Sequence, residues 1–155
     1  MKISFKKRNG SKNIISYQRP SFPDQWVEAD QFLILHDLSH YAIESKLSYQ
    51  SAFWGLIKSG IHPSVFENKE ARNKILISNE AWYSESLANL FVIELTQGAF
   101  EDFNEVFHQS LKQMNKNIPD LHLSANEINE IRDYYKQLVD AWKALETDHI
   151  MELHF

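Results

Sequence analysis

Cysteine is absent from the 155 residues, which excludes disulfide frameworks, thiolate zinc sites, iron–sulfur clusters and thiol nucleophiles together. Glycine and proline number only four each, too few for a low-complexity or linker-rich chain. No apolar run approaches the roughly 18 residues of a membrane span. The opening Met1-Lys2-Ile3-Ser4-Phe5-Lys6-Lys7-Arg8 turns charged before a signal-peptide core can form, so a cytoplasmic location is expected. Excess positive charge is missing too. Sixteen basic side chains face twenty-one acidic ones, for a net charge of −5. That balance argues against nucleic acid, whose binding needs Lys and Arg to displace counterions from phosphate. Gly-rich phosphate loops and GxSxG elbows are also absent. A soluble single domain with no membrane or nucleic-acid partner is the expectation.

What is present reads as α+β, mostly helical. Residues 1–18 form an expected β-hairpin, with Ile3 and Phe5 alternating with polar residues and Asn9-Gly10 supplying a tight turn. Pro20 and Pro23 are expected to end that ladder, because proline cannot donate to it. The other strand-like run is 149–155, and a lone hairpin needs a further strand or a helix to cover it. A three-stranded antiparallel sheet from the two ends of the chain is therefore expected. Between them, helices are expected over 32–47, 51–59, 79–97, 100–115 and 125–146. The last has the clearest start, Ser124-Ala125-Asn126-Glu127, a capping box ahead of a periodic apolar run.

Chemistry concentrates on the 32–47 helix. Its apolar residues fall on every side, as in a buried helix. Yet His36, Asp37, His40 and Glu44 fall within a single arc roughly 100° wide. Four ionisable groups on one buried stripe are costly unless they are paired or bind a cation. His36 and His40 are four apart, with Cα atoms about 6 Å apart along the axis, the spacing at which two imidazoles chelate one metal. Glu44 lies about 12 Å from His36 along the axis. It reads as an outer group accepting the free ring N–H of His40, or as a second charge facing the site. Asp37 stands where HExxH metallopeptidases carry their general-base Glu, one methylene shorter.

A mononuclear site needs a third protein ligand. Glu85 shares a helix face with Ala81, Ala88 and Val92, so its carboxylate is expected to point inward. Glu80, at a helix start where acids balance the dipole, and His62, on a loop beside Pro63, are the alternatives. The pair His36-Asp37 also resembles that of HD phosphohydrolases, but those need a further His upstream and His36 is the first in this chain. The aromatic side chains, without basic partners, read as core rather than as a base-stacking platform.

The run His36-Asp37-Leu38-Ser39-His40-Tyr41-Ala42-Ile43-Glu44, followed by Phe53-Trp54-Gly55-Leu56 and Gly60, resembles a family of short bacterial proteins with an HDLxHYxxE stretch and a short N-terminal hairpin. The resemblance covers roughly residues 1–60 and implies a shared site rather than a particular reaction. A narrower likeness, confined to HDxxH and Asn79-Glu80, is to zincin-type peptidases. Together these readings predict a metal-binding protein. His36, His40 and Glu85 are the expected ligands, Asp37 or Glu44 the catalytic base, and a divalent transition metal, zinc by ligand type, the cofactor for hydrolysis of a small-molecule or peptide substrate. The contrasting expectation is a non-catalytic interaction domain in which the His/Asp/Glu stripe is a hydrogen-bond network.

Overall fold

The N-terminal hairpin is widened by one strand on each side. The computed structural model describes residues 1–67, 70, 78–114 and 117–155. Strands β1 (Lys2–Lys6), β2 (Asn13–Arg19), β3 (Phe22–Ala29) and β4 (Ile150–His154) form one antiparallel sheet in the order β3-β2-β1-β4. The helices among the described residues are α1 (Gln31–Lys46), α2 (Phe53–Lys58), α3 (Ser64–Glu67), α4 (Asn79–Gln97), α5 (Phe103–Gln113) and α6 (Ala125–Ala144). The expected end of α5 at residue 115 lies outside the described residues. The architecture is α+β, and none of the described helices is long and apolar enough to cross a membrane.

Three local expectations need correction. The sheet has four strands, not three. Arg19 pairs with Phe22 across Pro20-Ser21, and Pro23 is accommodated because β3 is an edge strand that joins β2 beside a register shift between Tyr17 and Arg19. The first hairpin is also looser than a two-residue Asn9-Gly10 turn. Its ladder ends at Lys6↔Ile14, and of the two turn residues only Gly10 has a positive φ, 129°. Lys7 is drawn toward the other side, where its N–H donates to the His149 carbonyl at 3.0 Å and its carbonyl accepts from Asp148 N–H at 2.8 Å. Finally, α1 is not buried all round. Its first turn exposes Phe32, at 57%, and the buried stretch begins at Ile34.

Helices cover one face of the sheet. Ile3, Phe5, Ile15, Tyr17 and Ala29 point into the shared core, while Trp26 on the outward face of β3 is 63% exposed. Half-buried Met151, Leu153 and Phe155 of the C-terminal run pack against that core, with Glu152 and His154 turned out, the alternation of a strand covered on one side. Helix α1 is the central element, packed against α4 and α6. It starts where Asp30 accepts from Leu33 N–H at 2.9 Å, satisfying one of the orphan donors of the first turn. Its flank is held by the Tyr41 hydroxyl donating to the His154 carbonyl at 2.8 Å and the Tyr135 hydroxyl donating to the Leu35 carbonyl at 3.1 Å. The polar stripe of α1 is thereby fixed against α2 and α4.

Candidate metal centre

His36 and His40 meet edge to face along α1, with ring centroids 4.8 Å apart and planes at 71°, as neighbours at i, i+4 on a helix. Glu85 comes from α4, about two turns beyond its start at Ser78, whose hydroxyl accepts from Ala81 N–H at 3.1 Å. Both Nε2 atoms face this carboxylate. His40 Nε2 is 3.3 Å from Glu85 Oε2, and His36 Nε2 is 3.9 Å from Glu85 Oε1. One ligand atom from each of His36, His40 and Glu85 lies within 4.8 Å of the others, so the group could hold a metal ion.

Glu85 is less inward than its helix face implies. Its side chain is 48% exposed, because the buried side of α4 centres on Ser84, Leu87 and Phe91, and Glu85 lies at its edge with the half-buried Ala81 and Val92. His40 is the reverse, only 2% exposed. Behind it, the Ser84 hydroxyl donates to Glu44 Oε1 at 3.0 Å and lies 2.7 Å from His40 Nδ1. A hydroxyl has one proton to give, and here it goes to Glu44. His40 Nδ1 must then carry a hydrogen and donate it to Ser84, which leaves Nε2 for the cavity side. Glu44 itself is fully buried. Its Oε1 is 3.3 Å from His40 Nδ1, and its Oε2 accepts from Trp54 N–H at 2.9 Å.

The electrostatics follow from this packing. Burial favours the neutral His40 ring, but hydrogen bonds and charges from Glu44 and Glu85 outweigh it and raise the pKa from 6.5 to about 10. For Glu85, partial burial acts upward. The hydrogen bond and charge of His40, then the charge of His36 and a hydrogen bond from Asn89, prevail and pull the carboxyl from 4.5 to about 2.

The remaining candidates fall elsewhere. Asp37 is largely buried, lines the same cavity and has its carboxylate 3.9 Å from His36 Nδ1, beyond hydrogen-bond range. Glu44 lies behind His40 and does not line the cavity. Glu80 is taken up by the turn before α2, where its Oε2 accepts from Gln50 N–H at 3.0 Å and from Ser51 N–H and Oγ–H at 2.7 Å each. Those bonds hold its carboxyl below the usual range against the opposing effect of burial. His62 is exposed and 2.8 Å from Ser64 Oγ, away from the cluster. Sequence reasoning did not name Ser84 or Trp54 as partners of Glu44. Ser84 adjoins Glu85, but only a tertiary contact turns two neighbours on α4 to opposite edges of one imidazole.

The cluster forms part of the wall of a cavity of about 370 Å³, lined from β2, β3, α1, α2 and α4, and by Pro63 and Phe66 at α3. Comparison with protein-family models, with curated proteins and with solved structures finds no match.

Proposed function

We propose that the protein binds one divalent transition metal through His36 Nε2, His40 Nε2 and a Glu85 oxygen, and uses it in hydrolysis. The observation that carries this is the division of labour around His40. Its Nδ1 edge is backed by Ser84 and Glu44, while its Nε2 edge turns with that of His36 toward Glu85 at an open cavity. A carboxylate behind a ligating imidazole fixes its tautomer and raises its basicity. Two imidazoles and one carboxylate are a zinc-type ligand set that leaves a fourth position open.

When bound, such an ion would supply Lewis-acid activation of water near neutral pH, and Asp37, which lines the cavity beside His36, would take up the proton as that water adds to a carbonyl carbon. Asp37 would then return that proton to the leaving group as its bond to the carbonyl carbon breaks. Glu44, sealed behind His40, acts on the imidazole rather than on substrate. Elemental analysis of protein purified without a metal-affinity tag tests the assignment. About one metal per chain is expected, lost in the His36→Ala/His40→Ala double variant. Wild-type metal content in that variant would defeat it.

A second reading, a purely structural network, is favoured by one observation. A protonated His40 ring lies 3.3 Å from carboxylates on both edges, Glu44 and Glu85, and so bridges them without a metal. It predicts protein that purifies without metal and melts at the same temperature with or without chelator.

A further inference from the structure

We propose that the cavity beside the His36, His40 and Glu85 cluster takes a neutral, largely apolar small molecule of about a dozen heavy atoms as the substrate. The inference rests on the metal reading for its charge balance, and on the cavity alone for its size and polarity.

The volume, about 370 Å³, is at the small end of ligand sites and equals the space of roughly a dozen water molecules at about 30 Å³ each. Away from the cluster its wall is aliphatic and aromatic, with Val27 from β3, Leu33 from α1, Phe53 and Leu56 from α2, and Ala81 from α4. Such a wall binds by displacing water from apolar surface, at about fourfold in affinity per buried CH₂.

Charge narrows the ligand class. Among the described lining residues there is no Lys or Arg, and the acids are Glu28, Asp37 and Glu85. Glu28 is paired with Arg8 at 3.4 Å. A divalent ion on the two neutral imidazoles would be balanced by Asp37 and Glu85, and Glu44 behind His40 adds one further negative charge. A phosphate or carboxylate would meet that remaining negative charge, with no cationic side chain among the described lining residues to receive it. A cation would meet the ion. An uncharged ester or amide with a short hydrocarbon body meets neither penalty.

The test compares three probes of one shape: butylbenzamide (neutral), butylbenzoate (anionic) and butylbenzylamine (cationic). Each is titrated by calorimetry into the zinc-loaded protein and into the metal-free protein. On the zinc-loaded protein the amide should bind at least about tenfold tighter than either charged probe. Ala81→Trp, which fills the cavity from α4, should lower amide affinity by at least about tenfold while circular dichroism shows the fold retained. Leu33→Glu, at an exposed part of the rim, is the second variant if Ala81→Trp does not fold, and it should weaken the amide in the same direction. A charged probe binding as tightly as the amide, or undiminished amide binding in a folded cavity variant, overturns the proposal. Protein that takes up no zinc defeats the metal reading, and the same comparison on metal-free protein then decides the ligand class of the cavity.

Discussion

Trp54 N–H donates to Glu44 Oε2 at 2.9 Å, and this bond joins the polar run of α1 to the start of α2. Trp54 lies in the first turn of α2, whose N-cap is Ala52 and supplies no side-chain acceptor. A carboxylate from α1 takes over the capping role, filling one of the orphan N–H positions that every helix start leaves. The same carboxylate steadies His40, so α2 and the candidate ligand share one buried anion.

Replacing Glu44 should therefore affect stability and metal affinity together. Glu44→Ala strips the partner from Trp54 N–H, Ser84 and His40 at once, and a loss of about 3–5 kcal/mol is expected. Glu44→Gln keeps an acceptor and should lose markedly less. In both variants metal affinity should fall by about 10–100-fold, whereas Asp37→Asn should retain wild-type metal content. Urea titrations and metal competition assays check the set, and a Glu44→Ala protein as stable as wild type would contradict it.

Gly55, next to Trp54, is required on steric grounds. A Cβ there would lie 2.1 Å from the Gln50 carbonyl oxygen, which is backbone and cannot swing aside. Gly55→Ala should destabilise the protein by about 1–3 kcal/mol, the usual range for overpacking. It should also weaken metal binding by displacing Trp54. Equal chemical denaturation midpoints for variant and wild type would refute this.

The pH dependence of metal binding follows from the raised His40 pKa. In metal-free protein a protonated His40 contributes stability that is fully present below pH 6.5 and is lost as pH rises through about 10. Glu85 acts oppositely, its contribution present above pH 4.5 and lost as pH falls through about 2. Metal needs the neutral imidazole, so binding near neutrality must expel the His40 proton. Calorimetry in two buffers of different ionisation enthalpy should count about one proton released, with affinity rising about tenfold per pH unit between pH 7 and pH 8. Affinity that stays flat over that interval would show that no such proton is displaced.

The C-terminal strand should be needed for stability. Deleting 149–155 removes three half-buried side chains, worth about 1 kcal/mol each, together with the β1 ladder and the carbonyl that receives the Tyr41 hydroxyl. A melting temperature lower by about 6 °C or more is expected. A truncated chain melting within a degree or two of the full one would contradict this.

The fold class was legible because its signals are local. Ser124 and Glu127 form the capping box that their spacing announces, and Ile3, Phe5 and Leu153 show the period of a strand covered on one face. Strand β3 was not legible, because Pro20 and Pro23 read as breakers unless the strand is known to lie at an edge, which is a property of the assembled sheet. At the site, the His36–His40 spacing and the helix face of Glu85 pointed to residues that do converge. The exposure of Glu85 and the bonds from Ser84 and Trp54 to Glu44 depend on how α1, α2 and α4 meet, and no single segment encodes that.

The pairing of β1 with β4 sets an order of events during synthesis. Lys2 faces His154 across the ladder, so β1 emerges from the ribosome long before its partner exists. Until then β1 presents an open hydrogen-bonding edge beside the apolar Ile3 and Phe5, the kind of edge that recruits other nascent chains. Closing the sheet waits for a contact of very large sequence separation, a late and slow step in folding. The growing chain is thus exposed to aggregation at β1 until β4 arrives.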